Sequence, residues 1–401
     1  MSGSLLLQQR LSARLTERRT QNLLRQRRSV ESPQQPALAV DGSKLLSFCS
    51  NDYLGLANHP DVVAAFKRGL DEYGAGSGAS HLVTGHTKAH AALEEELAAF
   101  TGRSRALLFG SGFMANVGVL TTLLDDNDHV FEDKLNHASL LDGGRFSGAS
   151  FRRYPHLDMA RLGASLQAAE GDGVSFVVSD GVFSMDGDLA PLGELLQTAE
   201  RHNAVVMIDD AHGFGCLGAT GGGIVELAQA QGVVVDEQRL PVLVGTLGKA
   251  FGTAGAFVVG SDDLIETLIQ FCRPYIYTTA LPAAVAVATR TSLRLAQQDS
   301  WRRAHLLALV QRFRRGASEL GLRLLDSPTQ IQALLLGTPE RALAASRQLE
   351  AQGILVTAIR PPTVPPGTAR LRITFSAAHT EQQVDMLLAA LAALQLPALA
   401  A

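Results

Sequence analysis

Lys249 closes the run Gly245-Thr246-Leu247-Gly248-Lys249, which follows the apolar stretch Pro241-Val242-Leu243-Val244. A lysine among small residues at the end of a buried strand is placed to give up its proton and attack a carbonyl, as Schiff-base chemistry requires. A second apolar stretch, Ala204 to Ile208, leads into Asp209-Asp210-Ala211-His212-Gly213 and so ends in carboxylates and an imidazole. An aldehyde cofactor with a pyridine nitrogen needs both features, the lysine for its aldehyde and a carboxylate for its ring nitrogen. Together they point to pyridoxal 5'-phosphate. Asp209 has the strongest claim to the nitrogen, because a carboxylate emerging from a buried run needs a cationic partner to offset its desolvation.

Such a cofactor also needs an anion site and a group against its ring. Ser111-Gly112-Phe113 follows the apolar run ending at Phe109 and precedes a helical pattern through Asn116 and Leu120, so backbone amides there face an anion. A simple strand-to-helix turn fits the same tripeptide. The Thr246 hydroxyl completes the donor set if it turns toward that spot. Gly245 to Lys249 is not a Walker A loop, since Ala250 stands where Ser or Thr is required and position 243 is leucine. His137 follows another apolar run and is placed to lie flat on a ring, although a lone histidine is also an ordinary polar residue. Neither Asp209, Asp210 and His212 nor His81, His86 and His90 has the spacing of a metal-ligand signature.

The elements that position these residues alternate. Apolar runs at 105–109, 129–131, 175–178, 204–208, 241–244 and 256–259 are separated by helical patterns. Ala89, Leu93, Leu97 and Phe100, for example, mark one face of a helix between His86 and Gly102. Continuous apolar strands between helices predict an α/β fold with a mostly parallel sheet covered on both faces. Ligands of such sheets gather at the carboxyl ends of the strands. Beyond residue 285, long Ala/Leu/Arg helices and short strands at 330–336, 354–359 and 369–375 predict a smaller α+β domain. The proline-rich loop Pro361 to Pro366 joins two of those strands. The expected organisation is an arm and linker over 1–44, a large domain over 45–285 and a small domain over 286–401, with a terminal helix in the alanine-rich last twenty residues.

At 401 residues, 46% hydrophobic and 18% charged, the chain has the make-up of a soluble globular enzyme. A net charge of -4 gives no electrostatic reason to expect nucleic acid. Cys49, Cys216 and Cys272 lack paired spacing, which argues against a disulfide framework or structural zinc and for a reducing cytoplasm. No apolar stretch is long enough to span a membrane. Over residues 5–28, Leu7, Leu11 and Leu15 recur at helical spacing among seven arginines. An organelle transit peptide shares that richness in arginine, but Glu17 interrupts the basic face and no cleavable spacer follows. The reading is a basic amphipathic arm lying on a neighbouring surface.

The motifs Asn51-Asp52-Tyr53-Leu54-Gly55-Leu56, Gly181 to Asp188, Asp209 to Gly213 and Thr246 to Lys249, in this order, resemble the α-oxoamine synthases. These are fold-type I pyridoxal-phosphate enzymes that condense an amino acid with an acyl thioester and release carbon dioxide. The resemblance runs from the arm to about residue 380. Ile359 to Pro365, followed by Gly367 to Arg372, is most similar to the branch that uses L-alanine and a pimeloyl thioester, carried by coenzyme A or an acyl carrier protein.

The resemblance implies that Lys249 holds the cofactor aldehyde, Asp209 pairs with the pyridine nitrogen and His137 stacks on the ring. It assigns Gly112, Phe113 and Thr246 to the phosphate, with Ser184 and His212 near the phenolic oxygen. Thr278 and Thr279 would reach the phosphate of a partner subunit in a homodimer with shared active sites. Arg372 and Asn51 would hold the alanine carboxylate, for which a planar guanidinium is suited, while Arg25 and Thr363 would contact the acyl substrate. His81, in the variable loop Gly74 to Gly85, receives no role beyond an interface contact. The rivals are a sister synthase using glycine or serine and a catalytically silent scaffold of the same fold. A Rossmann dehydrogenase lacks support, because no G-x-G-x-x-G follows a first strand.

Overall fold

The computed structural model describes residues 2–21, 23–169 and 173–395. Among these residues thirteen strands form three sheets. They are β1 (Ala37–Val40), β2 (Ser43–Ser47), β3 (Arg105–Phe109), β4 (His129–Asp133), β5 (Ser150–Tyr154), β6 (Ser175–Asp180) and β7 (Val205–Asp209). There follow β8 (Val242–Thr246), β9 (Ala256–Gly260), β10 (Ile331–Gly337), β11 (Ile354–Leu355), β12 (Thr357–Ile359) and β13 (Ala369–Thr374).

The main sheet has the order β3-β9-β8-β7-β6-β4-β5. Strands β4 to β8 are parallel, and β9 alone runs against its neighbours β3 and β8. Successive side chains divide between two buried clusters. Leu107, Val130, Val178, Met207, Val244 and Val258 enter one, whereas Leu108, Phe131, Val177, Ile208, Leu243 and Phe257 enter the other. Burial on both faces is why these strands read as unbroken apolar runs rather than as alternation. It is the predicted mostly parallel α/β sheet, and all strands but β9 end at one edge.

Several local features depart from expectation. Strand β5 was not foreseen because Ser-Phe-Arg-Arg-Tyr is a polar edge strand with three exposed positions. The segment expected as a linker contains β1, which pairs with β2, and β11 adds to β2 from far along the chain. The strand expected over 354–359 breaks at buried Val356, so that β11 and β12 join different sheets. The arm helix spans Gly3–Thr20 rather than running to residue 28, and none of its residues is buried. Leu7, Leu11 and Leu15 are exposed on it. At the other end a helix covers Glu381–Ala392, and the last part of the expected terminal helix, from residue 396, lies outside the described residues. Among the described residues no helix is long and apolar enough to cross a membrane.

The third sheet, β10-β13-β12, is antiparallel. Leu371 and Ile373 of β13 enter the core, which turns Arg370 and Arg372, two residues apart, to the opposite face. That face meets the loop after β6.

Gly245 lies in β8, four residues before Lys249, where a Cβ would collide with the ring of Phe257 and come within 2.7 Å of Phe214 Cδ2. Gly245→Ala is expected to lower unfolding free energy by about 1–3 kcal/mol through overpacking. Urea denaturation of the purified variant checks this, and an unchanged midpoint would refute the packing account.

Candidate active site

The candidate residues collect at the carboxyl edge of the main sheet. Gly112 and Phe113 follow β3, His137 follows β4, Ser184 follows β6, Asp209 and His212 end β7, and Thr246 and Lys249 end β8. This is where a parallel sheet presents backbone and side chains to a ligand.

Lys249 Nζ lies 3.0 Å from His212 Nε2. The other ring nitrogen of His212 is 2.7 Å from Tyr53 Oη, and Gln330 donates to the His212 carbonyl at 2.8 Å. Desolvation lowers the lysine pKa to about 8, against the raising pull of Asp209 and Asp180. Burial, reinforced by Lys249 and Arg372, also holds His212 well below its ordinary value. Both shifts favour the uncharged forms, and the amine gives up its proton far more readily than a solvent-exposed lysine does.

Asp209 shares the sheet face of Met207, the face covered by the helix Gly112–Leu123. That register brings Asn116 Nδ2 to within 2.6 Å of Asp209 Oδ2 and 2.9 Å of Ser139 Oγ, while Ala211 N donates to Asp209 Oδ1 at 3.0 Å. Ser139 Oγ in turn meets His137 Nδ1 at 2.7 Å. His137 is thus tied to Asp209 through two polar side chains, and its backbone N–H donates to Asp180 Oδ2 at 2.7 Å. Burial first, and then the neighbouring Asp209, pushes Asp180 well above the usual carboxylate range. Burial lowers the pKa of His137 in spite of Asp209.

Ser111 caps the helix Gly112–Leu123 by accepting from Met114 N at 3.3 Å. Gly112 and Phe113 form its first turn, where N–H groups have no intrahelical acceptor. A Cβ on Gly112 would meet nothing within 4 Å, so the space in front of this helix start is open. Thr246 Oγ1 donates to the Gly255 carbonyl at 3.1 Å and accepts from Gly248 N at 3.4 Å, which fixes the turn into Lys249.

Arg372 Nε donates to the Ser184 carbonyl at 2.6 Å, and Nη1 and Nη2 reach Asn51 Oδ1 at 3.2 and 3.3 Å. Nη2 also lies 3.3 Å from Tyr53 Oη. Beside it Arg370 pairs with Asp186. His156 holds the same loop from the other side, with Asp133 Oδ1 at 2.9 Å and Asp188 Oδ2 at 2.7 Å. Burial opposes its charge, but the two carboxylates override that and push its pKa up to about 10. Arg25 donates to Thr363 Oγ1 at 3.2 Å, so the arm and the proline loop meet. Thr279 bridges Ser80, and among the described residues no hydrogen bond links Thr278 or Thr279 to the lysine cluster. His81 stacks on Tyr275 with ring centroids 4.9 Å apart and lies 3.0 Å from His86 Nδ1, away from that cluster.

The sequence reading gave no role to Tyr53, Asn116, Ser139, Asp180 or Gln330. Asn116 carried a usable signal, because it stands four residues after Gly112 and so lies on the same side of the helix. Ser139 and Gln330 depend on contacts between distant segments.

This donor set fits pyridoxal phosphate. An amine of lowered pKa, a carboxylate fixed by two donors, an imidazole beside it and an open helix start are the groups that its aldehyde, pyridine nitrogen, ring face and phosphate require.

The profile of the family described as "Aminotransferase class I and II" matches residues 43–391. An 8-amino-7-oxononanoate synthase of Cellvibrio japonicus (strain Ueda107) is 59% identical over 382 residues, 95% of this chain and 94% of that protein. Among solved structures, a serine palmitoyltransferase from S. paucimobilis with bound PLP–myriocin superposes with a TM-score of 0.89 at 32% identity, covering 96% of each chain. An 8-amino-7-oxononanoate synthase from Francisella tularensis does so with a TM-score of 0.75 at 32% identity, over 87% of this chain and 97% of that one. The cofactor is accordingly pyridoxal phosphate. The chain belongs to the class I and II aminotransferase family and, within it, to the 8-amino-7-oxononanoate synthases.

Proposed function

We propose that this chain condenses L-alanine with a pimeloyl thioester to give 8-amino-7-oxononanoate, carbon dioxide and the free thiol carrier, a step of biotin biosynthesis, as a cytoplasmic homodimer. The reading is carried by the 59% identity, over 95% of this chain, to a protein bearing that product's name. The sister synthases are not favoured, since the serine palmitoyltransferase likeness stands at 32% identity.

In this reading Lys249 holds the cofactor, Asp209 supports its ring nitrogen and His137 lies on its ring. The N–H groups at Gly112 and Phe113 with the Thr246 hydroxyl hold its phosphate, joined by Thr278 and Thr279 of a second copy. Bound there, pyridoxal phosphate supplies an electron sink for the bonds broken at the amino-acid Cα. Arg372 orients the amino acid. Its Nε is committed to Ser184, but its outer edge makes only long bonds to one Asn51 oxygen and to Tyr53. A substrate carboxylate offers that edge two oxygens and a shorter, charge-assisted fit. Lys249 Nζ, freed by the incoming amine, takes the Cα proton as general base and later returns one. His212 and Ser184 stand by the phenolic oxygen, and Arg25 with Thr363 contacts the acyl chain.

The cofactor-loaded protein is expected to release thiol from pimeloyl-coenzyme A only when L-alanine is present. Thiol titration with mass detection of the product checks this, and release that depends on glycine or serine instead would move the assignment to a sister synthase. Lys249→Ala is expected to lower turnover by at least about 10²–10⁴-fold, the usual contribution of a general base, with an unchanged circular dichroism spectrum. Near-parental turnover would contradict the base assignment.

A pH dependence follows from the lowered lysine pKa. The amine is protonated below about 8 and neutral above it. Capture of pyridoxal phosphate by the apo protein, followed by absorbance, is therefore expected to speed up as pH rises through about 8 and then level off. A rate that is flat across that window would show that the amine's ionisation does not govern capture.

A further inference from the structure

Tyr53 is fully buried, and its backbone is held on both sides: its N–H donates to the Asn51 carbonyl at 2.8 Å, and its carbonyl accepts from Ala377 N at 2.7 Å. Its hydroxyl lies 2.7 Å from His212 Nδ1, 3.0 Å from Asn51 Oδ1 and 3.3 Å from Arg372 Nη2. His212 Nε2 is 3.0 Å from Lys249 Nζ, so one imidazole separates this hydroxyl from the reacting amine. Burial pushes the pKa of the hydroxyl up to about 12, and it keeps its proton.

That single proton has two neighbours able to accept it. Asn51 Oδ1 already receives Arg372 Nη1 and Nη2, at 3.2 and 3.3 Å. His212 Nδ1 is nearer to the hydroxyl and has no other hydrogen-bond partner among the described residues. The proton therefore belongs on the Tyr53–His212 contact. A ring nitrogen that accepts is bare, so the one N–H of a neutral imidazole then sits on Nε2 and faces Lys249 Nζ. Only the neutral amine has a lone pair to receive it. An ammonium group offers donors alone, and two donors at that separation leave a buried bond unmade.

Building on the assignment of Lys249 as the residue that holds the cofactor, we propose that Tyr53 is a positioning residue, which fixes His212 in the tautomer whose Nε2–H donates to Lys249 and so holds the amine as an acceptor. The same tautomer suits the place given to His212 beside the phenolic oxygen, since that oxygen also accepts. Tyr53 acts on the lysine through the ring and not through its own charge. Apart from desolvation, the groups that set the lysine pKa are Asp209 and Asp180, which raise it, Arg372, which lowers it, and Asp210, which raises it. His137 and His212 face it as well. All of these remain in Tyr53→Phe, which removes one hydroxyl and keeps the packed ring.

The test measures the rate at which the apo protein captures pyridoxal phosphate, without amino acid, from pH 6 to 10, trapping the product with borohydride and locating it by mass. Without Tyr53 the imidazole is free to present a bare Nε2 to the ammonium form. The capture midpoint of Tyr53→Phe is therefore expected to lie higher than the parent's by roughly half to one pH unit, the worth of one hydrogen bond. Capture is then about 3- to 10-fold slower than the parent's below the midpoint and equal to it well above. Ionisations of the free cofactor are common to both proteins and cancel in the comparison. An unmoved midpoint, or a rate lowered by the same factor at every pH, would overturn the proposal. In a His212→Phe background the second change Tyr53→Phe is expected to add no shift, and a full shift there would show that Tyr53 does not act through the ring. Nitrogen-15 spectra of histidine-labelled apo protein, with His212 assigned by its loss in His212→Phe, are expected to show a bare Nδ1 and a protonated Nε2. The reverse pattern would also overturn the proposal. Trapped cofactor that is missing from Lys249 in the parent would bring down the assignment of the lysine itself, an outcome distinct from normal capture with an unmoved midpoint.

Discussion

A primary amine and two carboxyl groups meet at the ends of three adjacent strands, and the rest of the site depends on how their charges are divided. Asp180 and Asp209 are direct partners in the β6–β7 register, and Asp209 pairs with Val244 of β8, two residues before the turn to Lys249. Two ionised carboxylates this close would repel each other in a desolvated site. Burial, and then the neighbouring Asp209, pushes the pKa of Asp180 well above the usual carboxylate range, which eases the conflict. Asp209 keeps its acceptor role through Asn116 and the Ala211 amide. Desolvation outweighs the raising pull of these carboxyl groups on Lys249 and brings its pKa down to about 8.

That balance needs a rigid rim, and the loop after β6 provides it because it is held from several directions. Arg370 pairs with Asp186, Arg372 with the Ser184 carbonyl and His156 with Asp188. Ser327 and Thr329 donate to the Gly187 carbonyl at 2.8 and 2.9 Å. Gly187 has φ of +81°, and a Cβ there would crowd Ser327, so this turn needs glycine. The His156 imidazolium sits between Asp133 and Asp188, so it links the end of β4 to the loop as a charge-assisted bridge. The sheet β10-β13-β12 is therefore fastened to this loop by the pair Arg370 and Arg372.

Much of this was legible in the chain. Lys249, Asp209, His212 and His137 could be read because each follows a run of apolar residues, and runs buried on both faces are the strongest pattern a parallel sheet leaves in sequence. The order of the strands was not legible, nor was the reversal of β9, whose Ala-Phe-Val-Val resembles its parallel neighbours. Strand β5 escaped notice because an edge strand needs no apolar face on its open side. The polar partners were hidden for a different reason. Tyr53 meets His212 across 159 residues and Gln330 meets its carbonyl across 118, distances over which local periodicity carries no information. Asn116 is the intermediate case, since its helical position marked the side it faces but not that Asp209 would be there.

The placement of Arg370 and Arg372 on a paired strand has a consequence for the site. Antiparallel register fixes what lies beside the two arginines in steps of one residue, with Thr357 opposite Arg372 and Ile359 opposite Arg370. That register cannot drift gradually. A slip of one residue in β13 would turn Arg372 toward the core and bring Leu371 or Ile373 to the face that meets the loop after β6, with loss of the bonds to Ser184 and Asn51. Packing of Leu371 and Ile373 in the core therefore fixes more than stability. It fixes which face of the sheet carries the two arginines, and with that the bonds by which they hold the loop after β6.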